Sequence, residues 1–103
     1  MGEADGRFGF SGAVWEWRGP APFFFVSVPE PELSALKELM RSVTYGWGMI
    51  PATVRIGGTA WATALWPKDG GYVVPLKAWV RRAEGIEAGE AVTVELVVEA
   101  GER

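Results

Sequence analysis

Residues 49–66 read MIPATVRIGGTAWATALW, and this stretch predicts the fold more clearly than any other. Apolar and polar residues alternate on both sides of the Gly57-Gly58 pair, which is typical of two strands that each bury one face. A Gly-Gly pair suits a two-residue hairpin turn, because glycine adopts positive φ at little cost. In the second strand bulky residues oppose small ones, as the tapering interior of a small β-barrel requires. We therefore expect a hairpin that forms part of a barrel.

The rest of the chain adds further short strands and two helices. We predict strands over 7–17, 23–28, 49–56, 59–66, 72–74 and 92–99. A first helix is predicted from Pro31 to about Gly46, because apolar residues follow at helical spacing. A second helix is predicted from Pro75 to Gly85, with Leu76 on its buried side. The order is ββ-α-βββ-α-β, and such short strands favour a mainly β fold closed into a barrel, since closure hides strand edges.

The length of 103 residues corresponds to one domain of ordinary size. We expect a disordered N-terminus over 1–6, a single small β-barrel domain over 7–99 and a tail over 100–103. Apolar residues make up 49% of the chain and charged residues 22%, which is typical of a folded domain. Because no apolar run approaches the roughly 20 residues of a membrane span, we expect no membrane partner and, by default, a cytoplasmic protein.

The chain contains neither cysteine nor histidine, which excludes several kinds of chemistry. Thiol nucleophiles, disulfides, histidine general bases and the usual zinc sites all need one of these residues. We therefore expect no catalytic residue, no metal and no cofactor, and an enzyme is the less favoured class. The net charge of −3 and the scattered basic residues disfavour a nucleic-acid partner, because phosphate contacts need a basic surface.

Four segments together resemble a known bacterial family. They read WEWRGPAP at 15–22, YGWGMIP at 45–51, PKDGGY at 67–72 and PLK at 75–77. On these residues the chain is similar to the bacterial domain-of-unknown-function family 1905 (DUF1905), which has no established biochemical activity. The resemblance implies a double-split β-barrel of pseudobarrel type. That class also holds AbrB-like and MazE-like DNA-binding domains, although a shared scaffold does not fix function.

Six tryptophans in 103 residues exceed what the interior of so small a barrel can hold. We expect some of them to line a pocket, because an indole combines a large apolar ring with one hydrogen-bond donor. The alternative is that each is a large core residue whose indole N–H finds a carbonyl oxygen. The predicted ligand-binding residues are Tyr45, Trp47, Arg55, Trp61, Trp66, Lys68 and Lys77.

Two of these residues indicate an anionic ligand. Lys77 falls in the first turn of the predicted second helix, where a cation opposes the helix dipole. An anion held by Lys68, Lys77 and the helix N-terminus would explain this placement. The alternative is a pair of solvated lysines beside a turn that contains Asp69.

The favoured function is a non-catalytic binding or interaction domain with a tryptophan-lined cleft. Its partner would be a small molecule, which could be anionic, or another protein, and exposed tryptophans are also consistent with a homodimer. One alternative is an enzyme that uses Tyr45 or Lys77 with a carboxylate as acid and base. The other is a nucleic-acid-associated regulator, as the AbrB-like fold implies.

Overall fold

The computed structural model of the chain describes residues 6–20, 23–41 and 48–98. Its elements in chain order are β1 (Arg7–Trp17), β2 (Phe23–Ser27), α1 (Glu32–Met40), β3 (Ile50–Ile56), β4 (Thr59–Lys68), β5 (Gly71–Leu76), α2 (Ala78–Glu84) and β6 (Ala91–Val98). The order ββ-α-βββ-α-β is therefore confirmed. Of the expected terminal segments, residues 1–5 and 100–103 lie outside the described residues. Gly6 is buried, and its carbonyl accepts a hydrogen bond from the Val98 N–H at 2.8 Å.

The six strands form a closed antiparallel barrel in the order β1-β2-β5-β4-β3-β6, which confirms the predicted barrel. Strand β1 joins two parts of the barrel, because residues 7–13 pair with β6 and residues 14–17 pair with β2. Gly12 lies next to this change of partner, and a Cβ there would come within 3.0 Å of Val26 Cγ1. A glycine at this position lets β1 and β2 approach closely.

The predicted two-residue turn at Gly57-Gly58 and the predicted turn that contains Asp69 are both present. Gly57, the first residue of the β3–β4 turn, has a φ of 60°, a value that favours glycine. In the β4–β5 turn, Asp69 and Gly70 have φ values of 51° and 81°. Positive φ at both central residues is the geometry of a type I′ turn, in which Asp-Gly is a preferred pair.

Mostly aliphatic side chains fill the barrel. Strand β3 shows the pattern well, since every second residue is buried: Ile50, Ala52, Val54 and Ile56. The two helices add Leu36 of α1 and Val80 of α2 to the same core. Within the described residues, neither helix is long and apolar enough to cross a membrane.

The second helix begins later than predicted. Pro75 and Leu76 belong to β5, and α2 starts at Ala78 with Lys77 as its N-cap residue. Strand β5 pairs with β2 through Leu76 but with β4 only as far as Val73. One side of β5 is therefore unpaired at Pro75, which is how a sheet accommodates a residue without an N–H. Lys77 thus precedes the helix and does not lie in its first turn.

Candidate functional site

Five aromatic side chains contact one another on the outside of the barrel, over β1, β2 and β4. We call them the aromatic layer: Trp15, Trp17, Phe23, Phe25 and Trp66. Trp15 lies opposite Phe25 in the β1–β2 ladder, and opposite residues point to the same face. The next pair along the ladder, Val14 and Val26, points into the core instead, because side chains alternate along a strand.

Phe25 is the buried centre of the aromatic layer. It is only 2% exposed, although it is not part of the barrel core. Its ring centroid lies 5.1 Å from that of Trp15 and 5.2 Å from that of Trp66. The Trp66 contact is edge-to-face at 62°, an arrangement that aromatic pairs favour. Trp15 is also fixed by a hydrogen bond of 3.0 Å from its Nε1 to Ser27 Oγ.

Trp17 and Phe23 form the exposed part of the layer. They are 42% and 38% exposed, and their ring centroids lie 6.0 Å apart. A Cβ at Gly19 would collide with the Trp17 ring, so this glycine allows the ring to lie back over the chain. The two rings thus form a small apolar patch on the protein surface.

A groove of about 320 Å³ separates the aromatic layer from the start of α2, and we call it the α2 groove. Phe23 and Trp66 of the layer form part of its wall, together with Pro75. Two cations, Lys77 and Arg81, also line it. Among the described residues that line the groove, none is an aspartate or a glutamate.

Arg81 packs against the aromatic ring of Phe24. Its guanidinium carbon lies 3.7 Å from the ring centroid, which is a cation–π contact. The Arg81 Nε is buried without a hydrogen-bond partner. In the part of the chain that the structure describes, neither Arg81 nor Lys77 forms an ion pair. Among the described residues, the groove therefore holds two positive charges and no counter-charge.

Two of the predicted ligand-binding residues line the groove. Trp66 and Lys77 form part of its wall. Lys68 does not line the groove, and its Nζ lies 3.8 Å from the Oδ2 of Asp69 beside the β4–β5 turn. The structure thus places the two lysines that were expected to share an anion at different features.

Of the other predicted residues, the two that the structure describes, Trp61 and Arg55, lie at separate places. Trp61 is a core residue, 6% exposed, whose Nε1 has no hydrogen-bond partner among the described residues. Arg55 is exposed on β3 and lines a separate depression with Glu95. Tyr45 and Trp47 lie outside the described residues. Of the five candidates that the structure describes, it brings Trp66 and Lys77 together.

The half-buried carboxylate of Glu84 has a structural role. Thr59 Oγ1 donates a hydrogen bond of 2.5 Å to Glu84 Oε2. The same carboxylate packs so closely on Gly57 that a Cβ there would collide with it. Glu84 thus connects the end of α2 to the β3–β4 hairpin. Across residues 6–20, 23–41 and 48–98, no group of three or more acidic side chains is placed to hold a metal ion.

Sequence reasoning missed Phe23 and Arg81 as parts of the site. The apolar run at 23–28 predicts a strand buried on both faces, which holds for Phe25 and Val26 but not for Phe23. The signal for Arg81 was its position four residues after Lys77, because residues at this spacing share one side of a helix.

The comparison with known proteins identifies a family without an assigned activity. No curated protein matches the chain. The family described as Domain of unknown function (DUF1905) matches residues 10–96. This range includes all five rings of the aromatic layer and both cations of the α2 groove. Because the match covers most of the sequence, the chain belongs to the DUF1905 family.

Proposed function

We propose that this domain is a non-catalytic binding module that holds a small, ring-containing molecule in the α2 groove. The observation that supports this most strongly is the aromatic layer, whose rings pack on the outside of the barrel beside an open groove. Aromatic side chains beside a groove that also holds a few polar groups are typical of small-molecule sites.

The size of the groove supports a ligand of one or two rings. Its volume of about 320 Å³ falls at the lower end of the range of about 300–1,000 Å³ for small-molecule sites. Phe23 and Trp66 provide ring surfaces on which a flat apolar molecule can pack. The molecule would therefore contact side chains that the barrel already holds in place, which lowers the entropy cost of binding.

The side chains in the groove favour binding over catalysis. Arg81 offers only N–H donors, because a guanidinium has no hydrogen-bond acceptor. Thr63 and Lys77 are the other polar side chains that line the groove in the described part of the chain. General acid–base chemistry usually pairs such groups with a carboxylate or a histidine, and the groove supplies neither among the described residues.

Nitrogen-15 NMR with two simple probes, benzamide and benzoate, tests this function. We expect at least one probe to shift the amide signals of Lys77 and Ala78 and the indole N–H signal of Trp66 in a saturable way. Trp66→Leu should weaken that binding. Trp79→Leu is the matched control, since Trp79 is 47% exposed and does not line the groove. Absence of any saturable shift with both probes would overturn the proposal.

The exposure of Trp17 and Phe23 supports a second candidate, contact with a second copy of this chain. Sedimentation velocity at increasing protein concentration tests it. Trp17→Ser should reduce any self-association, whereas Trp79→Ser should leave it unchanged. A monomer at every concentration would remove this candidate and would leave the small-molecule proposal untouched.

A further inference from the structure

We infer that the molecule in the α2 groove carries a carboxylate beside its ring, and that Arg81 and Lys77 bind this carboxylate. The inference rests on the proposed function, because it names the chemical class of the ligand for the same groove. Three features of the groove support it: its charge, the contacts of Arg81, and the presence of an aromatic wall beside a cationic wall.

The charge of the groove differs from that of the whole chain. The chain has 13 acidic and 10 basic residues, yet the described residues that line the groove include two cations and no acid. Lys77 and Arg81 also lack ion pairs within the described ranges. Two neighbouring cations repel each other, and an anion between them would remove that repulsion.

The contacts of Arg81 point to a planar anion. One face of its guanidinium packs on Phe24, with 3.7 Å between the guanidinium carbon and the ring centroid. Its Nε is buried and has no hydrogen-bond partner among the described residues. The cation–π contact offsets part of the hydration that this partly buried cation has lost, and an anion would offset the rest. A carboxylate can accept two parallel hydrogen bonds from such a guanidinium, which a neutral ligand cannot match.

The apolar and the cationic wall of the groove together indicate which chemical groups the ligand carries. Phe23, Trp66 and Pro75 supply apolar surface, and Lys77 and Arg81 supply the charge. A molecule that satisfies both walls has a flat apolar ring with an acid group attached. An inorganic anion would satisfy only the cations, and a neutral ring would satisfy only the aromatic layer.

Benzoate and benzamide form a matched pair for the test, because they have nearly the same shape and differ in charge. At low salt we expect benzoate to bind at least about tenfold more tightly than benzamide, since hydrogen bonds between charged partners are stronger than neutral ones. Added sodium chloride should weaken benzoate binding and leave benzamide binding nearly unchanged.

Substitutions then assign the effect to the two cations. Arg81→Met and Lys77→Met should each bring the Kd of benzoate close to that of benzamide. Arg82→Met is the control, because Arg82 is exposed on the same helix and does not line the groove. If Arg81→Met disturbs the packing on Phe24, the exposed Lys77 and the salt dependence still decide the question.

The outcomes separate the two proposals. Equal binding of benzoate and benzamide at the groove would overturn the carboxylate inference and leave the binding module intact. Tighter benzoate binding that does not change in Lys77→Met or Arg81→Met would also overturn it. No binding of either probe would overturn the proposed function itself. Sulfate binding as tight as that of benzoate would overturn the carboxylate inference, because it would show a site for anions in general.

Discussion

The inside of the barrel and the aromatic layer on its outside are both packed, but with different side chains. Among the described residues, the core is built almost wholly from Val, Ile and Leu, with Phe10 and Trp61 as its aromatic members. The aromatic layer contains rings alone, and its edge at Trp17 and Phe23 remains in solvent.

The difference shows two ways of burying apolar surface. A narrow barrel needs compact, branched side chains, because its strands surround a small volume on all sides. The layer has strands on one side and water on the other, so flat rings cover one another and only Phe25 is enclosed. Loss of a core side chain should therefore cost more stability than loss of a ring outside.

Leu65→Ala should have the largest effect on stability. Leu65 is fully buried in the barrel core, and closed strands prevent the surroundings from collapsing into the space. We expect a loss of about 3–5 kcal/mol in the free energy of unfolding, measured by urea unfolding. A loss below about 1 kcal/mol would mean that the barrel is not close-packed.

Phe25→Ala should have the next largest effect, about 2–3 kcal/mol. Phe25 is as buried as a core residue, but Phe23 and Trp66 can move towards the space that it leaves. This partial collapse should make the loss smaller than for Leu65→Ala. If Phe25→Ala proved the more costly of the two, the layer would be as rigid as the core and the comparison would fail.

The sequence predicted the fold well because local patterns determine it. Alternation on both sides of Gly57-Gly58 predicts the hairpin, and the glycine φ of 60° confirms the turn. The predicted start of α2 was wrong by three residues. Pro75 suits the first position of a helix and equally the unpaired side of an edge strand. Only the register between β5 and its neighbouring strands distinguishes these two possibilities, and no local sequence pattern contains that register.

The candidate site was predicted less well, for a reason that is also physical. The composition indicates more tryptophans than the core can hold. Which face of each strand points into the barrel, however, depends on how the sheet closes. Trp61 and Trp66 lie five residues apart on β4 and therefore point to opposite faces, but only closure of the barrel makes the face of Trp61 the inner one. The groove itself joins β2, β4, β5 and α2, which are brought together only in three dimensions.

Two glycine substitutions test the same difference between the core and the aromatic layer, with smaller expected losses of stability. Gly12→Ala would place a methyl group within 3.0 Å of the buried Val26, and we expect a loss of about 1–2 kcal/mol from overpacking. Gly19→Ala would meet the ring of Trp17, which can swing into solvent, so its cost should be below about 1 kcal/mol. Thermal unfolding measures both, and a larger cost for Gly19→Ala would show that Trp17 is fixed.

Trp17→Ser should have the smallest effect, a loss of about 0.5 kcal/mol in the free energy of unfolding. Trp17 is 42% exposed and keeps one ring contact, with Phe23, so little apolar surface leaves the protein interior when it is removed. Urea unfolding of this variant should be compared with that of the control Trp79→Ser, which removes a similarly exposed ring outside the layer. Equal small losses would mean that the layer's exposed edge adds nothing to folding and is free to serve binding, whereas a loss of about 2 kcal/mol at Trp17 alone would assign this edge to the fold.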